Sequence, residues 1–133
     1  MTTLNVAYQG DFRCAITHES GYTFLTDAPT DNFGKGEAIS PTDMIGGALA
    51  SCIITTMAIV ARQQYGFELG KTRADVEKIM SDGKPRRIAG IEITLKFSLP
   101  SDHPQRALLE NLIDRCPVHH ALHPDILVNV KTE

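Results

Sequence analysis

Between Gly90 and Leu99 apolar and polar side chains alternate without a break. Ile91, Ile93, Leu95, Phe97 and Leu99 fall on one side, and Glu92, Thr94, Lys96 and Ser98 on the other. A period of two marks a strand with one wet face, at home in an antiparallel or mixed sheet. The same alternation predicts strands within residues 4–27. Phe12, Cys14 and Ile16 share a face opposite Arg13 and Ala15, and "YTFLT" follows the turn signal Ser20-Gly21. The pattern then changes. Met44 to Ala61 carries no charge at all, and the preceding Ser40-Pro41-Thr42-Asp43 combines a proline suited to the first helical position with a capping-box spacing. A helix is predicted from there to about Tyr65, stopped by Gly66. Glu68 to Asp82 fits either a helix or a strand. A second helix is expected after Ser101-Asp102 with the stripe Leu108, Leu109, Leu112 and Ile113, ending near Cys116, and "ILVNV" closes the chain as a strand. The order β-β-β-α-(β)-β-α-β is an α+β layout in one domain, residues 1–133, with no repeat or linker.

The uncharged run raises the question of a membrane. It stands at the lower limit for a spanning helix, which usually takes ~20 predominantly apolar residues. Gly46, Gly47, Ser51, Thr55 and Thr56 lower its apolarity further. A helix apolar on all sides is instead expected at the centre of its protein. With 42% apolar and 22% charged residues, the chain has the make-up of an ordinary globular protein. A net charge of -3 gives no reason to expect nucleic acid or an anionic membrane as partner. The N-terminus lacks the basic start and apolar core of a signal peptide. Cys14, Cys52 and Cys116 are too few and too scattered for a secreted disulfide framework, so a cytoplasmic protein is expected.

Alone, a cysteine in an apolar stretch such as Cys52 reads as inert core, and Cys14, between Phe12 and Ile16, reads the same way. Cys116 differs. Pro117 suits the first position of a short helix, "PVHHALH", which sets the Cys116 thiol at a helix N-terminus, where thiolate is favoured. Taken together, "SPTDMIGGALASCIITTM", "PRRIAGIEI" and "CPVHHAL" resemble the OsmC/Ohr family, and the element order matches over essentially the whole chain. The resemblance implies an OsmC-like fold, with two main helices packed against antiparallel or mixed sheet, and an intertwined homodimer with active sites at its interface. It also implies thiol-dependent reduction of organic hydroperoxides or hydrogen peroxide, with Cys52 peroxidatic, Cys116 resolving, a thiol reductant as partner and no cofactor.

That chemistry makes a demand. Cys52 stands about three turns from its helix N-terminus, too far to draw on it, and burial disfavours thiolate. A cation must offset this, and in the family an arginine paired with a glutamate does so. Here Thr42 occupies the glutamate position. Arg13, in the N-terminal strands, is the candidate cation, although opposite the apolar face its ordinary reading is a solvated charge. Asp43 and Glu37 are the candidate acids to orient it, with helix capping an equal reading of Asp43. Arg62, closing the apolar run, reads as a surface residue.

Two other classes compete. Cys116, His119, His120 and His123 fall at i, i+3, i+4 and i+7 and carry donors that suit zinc, but Pro124 limits the helix to about two turns. The other is a non-catalytic OsmC-like dimer holding a small apolar ligand.

Overall fold

The computed structural model describes Met1 to Glu133. The chain forms two compact units, Met1–Met44 and Ile45–Glu133.

The first unit is an antiparallel sheet of β1 (Leu4–Gly10), β2 (Arg13–His18) and β3 (Thr23–Asp27) in that order. The tight turn joining β1 to β2 runs through positive φ at Gly10, Asp11 and Phe12. Phe12 therefore sits in the turn, 57% exposed, and does not share the face of Cys14 and Ile16 as its spacing suggested. Its N–H donates to Tyr8 Oη at 3.2 Å. Beyond β3 a single 3-10 turn, Thr30–Asn32, begins a loop folded back on itself. A Cβ at Gly34 would lie 1.6 Å from the Ala28 carbonyl oxygen, so no other residue fits there.

The second unit is built on α1 (Pro41–Tyr65), whose first turn belongs to the first unit. Leu49, Ala50, Ile53, Met57 and Ala61 are buried at the spacing of one helix face. They share a core with Ile91, Ile93 and Leu95 of β5 (Ile88–Lys96). The opposite face is open, with Ile45 and Ile59 exposed. The helix is thus one-sided in the protomer rather than buried all round. By length and composition α1 could cross a membrane, yet in this structure it is a core helix.

β4 (Arg73–Met80) settles the ambiguous segment as a strand, with Ala74 and Val76 packed against the core. It runs antiparallel to β5, and β6 (Leu127–Thr132) lies parallel to β5 on the other side. The sheet is mixed, as the alternation in β5 implied. A parallel neighbour requires a crossover, and residues 97–126 supply it. The second helical stripe lies there in two pieces, α2 (Arg106–Glu110) and a 3-10 turn, Ile113–Arg115. Pro117 disfavours helical backbone at Cys116, which is extended at φ -73°, ψ 141°. Helix then resumes as the short α3 (Pro117–Ala121). Buried Arg106 anchors the crossover. It lies 4.2 Å over the Phe97 ring, donates to the Leu99 carbonyl at 3.1 Å and pairs with Glu110 at 3.2 Å.

Candidate thiol site

The capping box at the start of α1 is formed as its spacing predicts. Asp43 N–H donates to Ser40 Oγ at 3.0 Å, and Ser40 N–H donates to Asp43 Oδ2 at 3.1 Å. This satisfies two backbone donors with no partner inside the helix. Asp43 is engaged as a cap, and Thr42 lies beside Ser40 with its hydroxyl 3.2 Å from Ser40 Oγ.

Cys52 is half-buried on α1 and packs against the core, whereas Cys116 is fully buried. Cys116 caps α3: its Sγ accepts the N–H of His119 at 3.2 Å. Burial pushes the Cys116 thiol above the ordinary range. The backbone N–H groups of His119 and Val118 pull the other way, and the neighbouring Cys52 thiol raises it further, as hydrogen-bond partner and as charge. The two motif cysteines, 64 positions apart in the chain, are therefore neighbours in the fold, and both are free thiols. Cys14 is a half-buried thiol of β2 in the other unit.

Arg13 is not a solvated charge. Its Nε and Nη2 donate to Asp27 Oδ1 and Oδ2 at 2.6 and 2.8 Å, a two-pronged pair. Asp27 is only 2% exposed and also accepts the N–H groups of Glu37 and Ala38, each at 3.0 Å. The Arg13 hydrogen bonds, with help from those amides, hold its carboxyl down to about 2 against the cost of burial, and Arg13 is pushed further up in return. Glu37 Oε2 stands 3.6 Å from Arg13 Nη2 as a second, outer acid. Of the acids named for orienting Arg13, Glu37 is beside it, while Asp27 holds the inner position. A signal for Asp27 was present: a hairpin turning near Ser20-Gly21 places residue 27 opposite residue 13, and this is the register observed.

The metal alternative fails on geometry. α3 ends at Ala121 and Leu122 is already extended, so His123 leaves the helix. His123 Nδ1 accepts the Asp125 N–H at 3.1 Å. His119 Nδ1 is buried without a hydrogen bond, 3.6 Å from Asp114 Oδ1. No group of three or more His, Cys, Asp or Glu side chains converges to hold an ion.

A long core helix carrying one thiol, with a crossover that brings a second against it beneath a mixed sheet, defines an α+β protein of the OsmC-like fold. The family model described as "OsmC-like protein" matches residues 34–131, and the chain belongs to that family. Comparison with curated proteins gives no match. Among solved structures, one from Psychrobacter arcticus 273-4 is 40% identical, with a TM-score of 0.91, covering 100% of this chain and 96% of its own. Its name alone assigns it to osmotic stress induction and a detoxification response. The organic hydroperoxide resistance protein OsmC of Legionella pneumophila is 16% identical, TM-score 0.79, with 100% and 96% covered. The organic hydroperoxide resistance protein OhrB of Bacillus subtilis is 14% identical, TM-score 0.70, with 100% and 98% covered. These last two share the fold.

Proposed function

We propose that the chain is a thiol-dependent peroxidase acting on organic hydroperoxides or hydrogen peroxide in the cytoplasm, with residues 1–133 working as one domain and as a homodimer. The observation that carries this reading is the apposition of Cys52 and Cys116 within one unit of the fold. Family membership and the hydroperoxide-resistance names of two structural relatives support it. The Cys52 thiolate attacks the terminal peroxide oxygen. The O–O bond breaks, the alcohol or water leaves with a proton, and Cys52 becomes a sulfenic acid. Cys116 then attacks that sulfur, a disulfide forms and water departs. An external dithiol restores both thiols by exchange, taking up the oxidation itself. The amides of His119 and Val118, which favour the charged form of Cys116, support a resolving role for a thiol that burial would otherwise keep protonated. We assign Arg13, oriented by Asp27 and Glu37, as the cation that stabilises the Cys52 thiolate, and Asp43 to the helix cap.

Thiol titration of the folded protein tests this reading. Peroxide should remove two thiols per chain together and leave Cys14. Cys52→Ser should abolish peroxide consumption, and unchanged consumption by the folded variant would refute the assignment. Cys116→Ser should permit one oxidation of Cys52 and stop turnover, leaving it open to overoxidation.

A further inference from the structure

A cleft of about 430 Å³ runs between the C-terminal half of α1 and the α2 segment of the crossover, and neither motif cysteine lines it. Thr56, Val60 and Gln64 form one wall at four-residue spacing, Leu108 and Leu112 the other, and Arg115 stands on the rim. We propose that this cleft binds an aliphatic chain ending in an anion, with Arg115 holding the anionic head.

Its volume lies within the range of small-molecule sites, and mostly apolar walls with few polar groups are the usual make-up of such sites. From Thr56 to Gln64 the trough follows about 12 Å of helix. That length suits roughly nine or ten carbons, taking C–C bonds of ~1.5 Å foreshortened by the zigzag. The charge at the rim decides the head group. Glu110 is already bonded to Arg106, and Asp114 stands beside His119. Arg115 makes no ion pair within the chain, unlike Arg13, Arg62 and Arg106. An exposed guanidinium without a carboxylate, at the end of an apolar trough, complements a carboxylate or sulfate head and repels an ammonium.

Calorimetric titration of the reduced protein with decanoate, decanol and decyltrimethylammonium tests the proposal. Decanoate should bind best. Arg115→Gln, at an exposed position, should weaken decanoate about tenfold or more, as expected for losing a charge-assisted hydrogen bond, and leave decanol unchanged. Val60→Phe, which fills the trough, should abolish binding of both, with an unaltered thermal transition showing that the variant is folded. Equal decanoate affinity of wild type and Arg115→Gln overturns the proposal, as does failure of the wild type to bind. Binding that disappears as the protein self-associates also overturns it, because a second copy would then be the occupant. Peroxide takes no part in the measurement, so failure of the peroxidase reading leaves this result standing.

Discussion

Asp27 gathers hydrogen bonds from Arg13, Glu37 and Ala38 onto one buried carboxylate. Its carboxyl sits at about 2 in the folded chain, against an ordinary value near 3.9. The unfolded chain takes up that proton first as the pH falls. The stabilisation is therefore complete above about pH 4 and is lost between there and about pH 2. Asp27→Asn should remove this acid-sensitive phase and loosen β2 and β3 at neutral pH, read as faster hydrogen exchange of their amides. Arg13→Ala tests the assignment to Cys52. Alkylation of Cys52 should slow strongly in the variant, because the thiolate is the reacting form. Superimposable rate profiles for wild type and variant would take Arg13 out of the mechanism. Cys116 should lag Cys52 in native alkylation, being fully buried and held protonated. Equal rates for the two thiols would contradict that placement.

At the scale of the element, α1 carries two adjacent glycines with opposite roles. A Cβ at Gly46 would meet Val76 Cγ1 at 3.1 Å, whereas one at Gly47 meets nothing within 4 Å. Gly47→Ala should stabilise the chain by about 0.5–1 kcal/mol through helix propensity alone. At Gly46 the same gain is offset by crowding against β4. Urea unfolding of the two variants measures the difference, and equal gains would mean that α1 does not approach β4 so closely. Ser40→Ala should cost about 1 kcal/mol through loss of the cap. These features were legible because they are local: a capping box, a helix-length uncharged run and the alternation of β5 each declare themselves within a few residues. What escaped is non-local. The Arg13–Asp27 pair depends on hairpin register, and the break after Glu110 depends on how the crossover settles over its core. Phe12 left its predicted face because a turn took it into positive φ, which alternation cannot register. The four-residue spacing of Cys116, His120 and their neighbours describes a helix longer than the one that forms.

For the whole molecule, Leu4, Val6 and Tyr8 of the first unit, and Ile59 of the second, are large apolar side chains left in the open. Exposed apolar surface of this kind is what an interface covers. The homodimer proposed above should therefore sediment as twice the chain mass at micromolar concentration, and charged substitutions at Val6 or Ile59 should shift it toward monomer. A stable wild-type monomer under those conditions would contradict the dimer. The parallel pairing of β5 with β6 sets an order of events during synthesis. Gly90 lies opposite Leu127, so the centre of the mixed sheet lacks one neighbour until the residues of β6 have been made. N-terminal parts of a chain fold first as it is made, and pairing across so long a separation comes late. Cys52 and Cys116 are thus both translated before the strand that closes the crossover exists. The partnership between them waits on β6, and a ribosome stalled short of Leu127 would release two cysteines without the scaffold that makes them a pair.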